Sequence, residues 1–211
     1  MNDILVKIDS LDTLLVSPNK TSYVMKDANF SIKKGSSIGI IGESGSGKTE
    51  LFKTITGTQR MIPGITNGSV TYYLNNNKEH SVYYKSKDKY YINKNHEKIK
   101  KELIGFIPQD PKSFLNPYWT IEQIFKETYI MKKRDITLDQ FISFYLNQVD
   151  IDFKKYKHKR PNQLSGGEAQ RIMVSFVLSK EPQLIIADES STGLDVTRQR
   201  TVIDTFKKIR V

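Results

Sequence analysis

Eight residues, Gly42-Glu43-Ser44-Gly45-Ser46-Gly47-Lys48-Thr49, carry the strongest chemical signal in the chain. The spacing G-x-x-x-x-G-K-[ST] lets glycines turn backbone amides toward an anion. It also brings a lysine ammonium to phosphoryl oxygens and sets a hydroxyl where magnesium takes an oxygen ligand. A helix that starts at the end of the loop adds its positive pole. The same letters make an ordinary Gly/Ser turn unless a strand precedes them and a helix follows. Ser37 to Ile41 is a short apolar run, read as that strand, and Leu51, Phe52 and Ile55 have helical spacing over Thr49 to Gly57. Candidate phosphate contacts therefore run from Gly42 through Glu50, with Lys48 on the β/γ oxygens of a nucleotide such as ATP and Thr49 on Mg2+.

A second cluster ends the apolar stretch Leu184-Ile185-Ile186-Ala187, which delivers Asp188 and Glu189 at its carboxyl end, where ligands collect in open α/β sheets. Asp188 suits a metal contact and Glu189 can polarise an attacking water. By itself such a pair is also what the solvated end of a strand looks like. Ser165-Gly166-Gly167, before a helix, is either a further anion site or a plain helix cap. Phe106-Ile107-Pro108-Gln109-Asp110-Pro111 reads as a strand ending in a turn.

Leu164-Ser165-Gly166-Gly167-Glu168, followed by Gln170-Arg171 and by Asp188 at a fitting distance, resembles the signature of the ATP-binding subunits of ABC transporters. The resemblance implies a P-loop NTPase with a RecA-like α/β core, an N-terminal antiparallel β subdomain and an α-helical subdomain at residues 112–178, all within one ATPase domain over 1–211. It implies catalytic roles for Lys48, Gln109 and Glu189, and magnesium ligation by Thr49, Gln109 and Asp188. Ser165, Gly166 and Gly167 would reach across a dimer to the nucleotide held by a second ATPase subunit, identical or not. Ser191-Thr192-Gly193-Leu194-Asp195 is similar to the D-loop, which faces that partner. The wording Gln109-Asp110-Pro111 with Leu115-Asn116-Pro117, and Asp195-Val196-Thr197, is similar to the dipeptide, oligopeptide and nickel importer ATPases. The implied activity is ATP hydrolysis that drives membrane permeases served by an extracellular solute-binding protein. The solute would be a peptide, with a nickel or metal-chelate complex as the alternative.

The sequence departs from the family at Glu50 and at Ser190-Ser191, neither of which removes a catalytic group. In the family a switch histidine stands on a strand beyond the last helix, which places it past Val211. The resemblance thus implies a domain whose C-terminal part is absent, either cut short or without turnover. His80, His96 and His158 are not read as its replacement. Tyr23 is read as a packing residue rather than the aromatic that stacks on adenine.

The elements that must position these groups follow from periodicity. Ile4, Val6 and Ile8 alternate as in a strand, Tyr23 to Ile32 forms its neighbour, and the two make an edge sheet. Residues 66–104 are polar, rich in Tyr, Lys and Asn, and read as a peripheral insertion with a strand at Val70 to Leu74 and a helix at His96 to Leu103. Helices are expected from Thr120, over Leu138 to Val149, over Gly167 to Ser179 and from Asp195 to Arg210.

The formal charge of +10 admits a nucleic acid, an anionic membrane surface or a nucleotide groove as partner. No nucleic-acid module accompanies it, so the lysines are read as solvated faces near a membrane and no nucleic acid is expected. No apolar run approaches the roughly 20 residues of a spanning helix. With no secretory leader pattern and no cysteine, the expected place is the cytoplasmic side of the cell membrane, bound peripherally.

Overall fold

A computed structural model describes residues 3–17, 20–43, 45–58, 63–74, 78–132 and 134–188. The chain divides into two compact units, Met1–Lys101 and the remainder from Glu102.

The first unit is built on two long strands, β1 (Ile4–Ser17) and β2 (Lys20–Lys33), paired antiparallel. The alternation in β1 buries Val6, Ile8, Leu11 and Thr13. Register shifts near Leu11 accompany positive φ at Ser10 and Asp27. There Asn29 Oδ1 accepts from Ser10 N at 2.8 Å and Asp12 Oδ1 accepts from Asp27 N at 2.7 Å, so polar side chains take the amides that the irregular ladder leaves. β3 (Pro63–Tyr73) pairs with the other edge of β1, and β4 (Glu79–Ser81) pairs with β3, giving the order β2-β1-β3-β4. A hairpin of β5 (Tyr83–Ser86) and β6 (Lys89–Ile92) turns through Lys87 and Asp88, both at positive φ. Helix α1 (Lys48–Ile55) buries Leu51, Thr54 and Ile55, and α2 (His96–Leu103) closes the unit's end.

Two expectations need correction here. Residues 37–41 form no strand: the backbone from 36 to 43 has no regular structure, Ile38 is 48% exposed and Ile41 98%. A single apolar run cannot be a strand without a ladder partner, and no strand among the described residues pairs with this one. The 66–104 segment, in turn, is not peripheral. Val70, Tyr72, Val82, Tyr83, His80 and His96 are buried, so the segment supplies much of the unit's core. Its exposed lysines and asparagines dilute the apolar signal, while the rings of Tyr72 and Tyr83 face inward.

The second unit joins a small parallel sheet to helices. β7 (Ile104–Ile107) and β8 (Leu184–Ala187) pair in parallel, residue for residue from Ile104 with Leu184 to Ile107 with Ala187. Between them run α3 (Pro111–Phe114), α4 (Ile121–Lys132), α5 (Leu138–Asn147), α6 (Phe153–Tyr156) and α7 (Gly166–Ser179). Three of these start on sequence-encoded caps. Thr120 and Gln123 exchange hydrogen bonds before α4, Thr137 and Gln140 form a capping box for α5, and Ser165 and Glu168 form one for α7. The core gathers Phe125, Phe141, Ile142, Leu146, Ile172 and Met173, with Phe125 edge-on to Phe176 at 5.6 Å. α7 is buried along most of its length, which explains its nearly unbroken apolar run from Ile172 to Leu178. No helix among the described residues is long and apolar enough to cross a membrane.

Candidate functional site

Gly47 stands at the N-cap of α1 with φ 96°, a left-handed conformation that suits glycine. A Cβ there would also lie 2.7 Å from Val24 Cγ1, so β2 packs directly against the turn. The loop before it folds back on itself. Lys48 Nζ donates to the carbonyls of Gly42 at 2.6 Å and Glu43 at 2.7 Å and lies 3.4 Å from Ser46 Oγ. A cation held only by neutral oxygens over the amino end of a helix forms an anion-seeking cradle. A phosphate would replace those carbonyls with a charge-assisted partner. The donor set therefore fits a phosphate group. Thr49 lies exposed on the first turn of α1, and Glu50 pairs with Lys53 at 2.6 Å. Ser44 lies outside the described residues.

Tyr23 departs from its expected packing role. It is 56% exposed, with Lys26 Nζ 5.7 Å from its ring centre, and it adjoins Val24, the residue that abuts Gly47. The ring is thus open to solvent rather than packed in the core.

In the second unit the parallel register sets two candidate side chains at one end of the sheet. Asp188 follows β8 and continues the ladder, its N–H donating to Ile107 O at 3.0 Å. Gln109 leaves the neighbouring strand two residues beyond Ile107 and is exposed. Asp110 then caps α3 by accepting from Lys112 N at 3.1 Å, so the Gln-Asp-Pro wording does serve as a turn, and that turn carries Gln109. Glu189, like the 191–195 segment and the helix expected from Asp195, lies outside the described residues.

Ser165 caps α7: its Oγ accepts from Glu168 N at 3.3 Å, while its own N–H donates to Glu168 Oε2 at 2.7 Å. Tyr156 Oη donates to Glu168 Oε1 at 2.5 Å. The hydrogen bonds from Tyr156 and Ser165 hold the Glu168 carboxyl down at about 2, so it is ionised and fixes the Ser165 turn. Ser165 and Gly166 are exposed, leaving the first turn of α7 open to an outside anion.

The histidines take no part in either cluster. His80 and His96 are buried against each other, and His158 is exposed on the turn after α6. Among the described residues no group of three or more His, Cys, Asp or Glu could hold a metal by itself.

The profile of the family described as ABC transporter matches residues 25–192. The oligopeptide transport ATP-binding protein OppD of Escherichia coli (strain K12) is 29% identical over 214 residues, which cover 99% of this chain and 59% of that protein. The oligopeptide transport ATP-binding protein AppD of Bacillus subtilis (strain 168) is 31% identical over 218 residues, covering 97% and 60%. The chain thus spans about three fifths of the length of the curated relatives it matches. Among solved structures, the dimeric post-hydrolysis state of the ATP-binding cassette MJ0796 bound to ADP and Pi aligns with TM-score 0.73 at 24% identity, over 97% of this chain and 82% of that one. The structure of cbiO1 from Clostridium perfringens aligns with TM-score 0.73 at 23% identity, over 98% and 74%. The fold is that of these cassettes, and with the family profile spanning most of its length, the chain belongs to the ABC transporter family.

Proposed function

We propose that this chain is an ATP-binding, ATP-hydrolysing subunit that energises a membrane importer for oligopeptides or dipeptides. The observation that carries the nucleotide reading is the Lys48 ammonium held on the carbonyls of Gly42 and Glu43 above the amino end of α1. The peptide reading rests on the relatives, which are named for oligopeptide transport.

Mg-ATP would supply an electrophilic γ-phosphorus and a metal-neutralised leaving group. Residues Gly42 to Thr49 would bind the phosphates, with Glu50 at the margin, and Lys48 would hold the β/γ oxygens through the charge that develops. The motifs assign the metal-facing oxygens to Thr49, Asp188 and Gln109, and the water-orienting role to Glu189. Ser165, Gly166 and Gly167 of one copy would close over the nucleotide of a second ATPase subunit. Residues 112–178 would act as the helical subdomain within one domain spanning 1–211, and with Gln109 they would pass closure on to permease subunits at the cytoplasmic face of the membrane. A solute-binding protein would enter only through those permeases.

The deciding experiment is titration of the purified chain with a fluorescent Mg-ATP analogue. Lys48→Ala should weaken binding by about one to two orders of magnitude, the size of a lost charge-assisted hydrogen bond. Glu189→Gln should keep binding and lose turnover. Equal affinity of the Lys48→Ala variant and the parent chain rejects the nucleotide reading.

A further inference from the structure

The helix behind the phosphate loop is held at its far end by three buried side chains that the loop motif does not include. α1 stops at Ile55, so its last carbonyls lack helical partners. A backbone turn through Gly57, at φ 64°, serves two of them: Thr58 N donates to Lys53 O at 2.8 Å and Gly57 N to Thr54 O at 3.3 Å. The rest comes from other elements. Tyr83 Oη donates to Thr54 O at 2.8 Å, Tyr72 Oη to Ile55 O at 2.8 Å and His96 Nε2 to Thr56 O at 2.9 Å. Three consecutive carbonyls are thus gripped from β5, β3 and α2, by residues that are 5%, 0% and 0% exposed.

The direction of each bond is fixed chemically. A carbonyl only accepts, so both phenols keep their protons and His96 carries its own on Nε2. Burial raises both phenols above the ordinary 10 and lowers His96 below 6.5, which keeps all three groups neutral donors. His96 Nδ1 is then an acceptor, and it faces His80 Nε2 at 3.2 Å in a stacked pair of rings. The chain turns out of α1 against this imidazole: a Cβ on Gly57 would lie 2.4 Å from His96 Cδ2. An isolated helix of eight residues would be marginal in water. At about 12 Å of length it also passes any shift at one end directly to the other.

We propose that Tyr72, Tyr83 and His96 are positioning residues for the phosphate loop: gripping the carboxyl end of α1, they fix its rotation and axial position and so aim Lys48 and the loop amides at the nucleotide. The role rests on the nucleotide-binding reading above.

The test compares the parent chain with Tyr72→Phe/Tyr83→Phe, His96→Leu and His96→Gln, measuring affinity for a fluorescent Mg-ATP analogue well below each unfolding midpoint, together with KM and kcat. Removing the two hydroxyls should raise Kd and KM about ten-fold, a few-fold per hydrogen bond, with kcat little changed. His96→Leu should do likewise, and His96→Gln, whose amide can still donate to Thr56, should recover most of the affinity. A purely structural role would lower the midpoint and leave Kd alone, and that result in the folded double variant overturns the proposal. If the double variant does not fold, Tyr83→Phe alone carries the comparison, with a few-fold rise expected and no rise overturning it. A parent chain that binds no analogue, or that binds it independently of Lys48, sinks the nucleotide reading and this role with it. Lys48-dependent binding with unaffected cap variants sinks this role alone.

Discussion

His80 and His96 show how far one buried contact reaches at the scale of single residues. Both are held below the ordinary histidine value of 6.5, first by burial, with His96 and Lys78 adding to the effect at His80 and Lys100 at His96. The Thr56 carbonyl and Glu97 oppose it at His96 without reversing it. Groups whose folded values are depressed in this way bind fewer protons folded than unfolded. Their contribution is therefore complete above about pH 6.5 and is lost as the pH falls from there through the depressed values. The pair also has room for only one added proton: a second, on His96 Nδ1, would break the bond to His80 and set two imidazolium rings 5.4 Å apart. The urea midpoint of the parent chain should be flat from pH 8 to 7 and fall between about pH 6.5 and 5. His80→Gln/His96→Gln should show a smaller fall over that window. Parallel curves for the two proteins would refute the assignment, since the carboxylates that titrate below it are common to both.

Elements were legible in the sequence where a local rule and tertiary packing agree. The capped helices illustrate this: Thr120, Thr137 and Ser165 each stand before a helix with a glutamine or glutamate three residues on, and α4, α5 and α7 begin there. The Leu184 to Ala187 run became β8 because a buried parallel partner, β7, was present. The equally apolar run before the loop found no partner within its own unit and formed no strand, a matter of pairing that periodicity does not encode. Residues 66–104 misled for another reason: beside Val70 and Val82, their core uses Tyr72, Tyr83 and two histidines, amphipathic side chains whose burial a polar-looking segment does not announce. Of the candidate groups, the sequence motifs singled out the loop, Gln109, Asp188 and the Ser165 turn, while the grip on α1 spans residues 40 apart in the case of His96 and Thr56 and left no local trace. Two substitutions test the helical elements. Phe125→Ala, at a fully buried position against Phe176, should destabilise the chain by about 3–5 kcal/mol in urea unfolding. Ser165→Ala, which removes the α7 cap, should lose about 1 kcal/mol. An equal loss from both would mean that α7 is held by its first turn as much as by its packing.

For the whole molecule, the charge of +10 bears on how two copies could meet. A dimer closed over two nucleotides brings two strongly basic chains together, and their mutual repulsion opposes association. The nucleotides would work against this in two ways: each brings negative charge to a basic chain, and each would be held from both sides by Lys48 and the Ser165 turn of the other copy. Association should therefore require the nucleotide. Salt provides a second criterion, because a Debye length of about 8 Å at 0.15 M screens the repulsion between the chains while reaching closely held phosphates far less. Binding of a nucleic acid responds in the opposite sense, since neutralised phosphates release counterions and affinity falls steeply as salt rises. In sedimentation velocity, Glu189→Gln with Mg-ATP should shift from monomer to dimer, more completely at 0.15 M salt than at about 0.02 M. Without nucleotide it should stay monomeric at both. Retention on single-stranded DNA should vanish over the same range of salt. A chain that dimerises without nucleotide, or that holds DNA at 0.15 M salt, would show that its positive charge serves a partner other than the nucleotide.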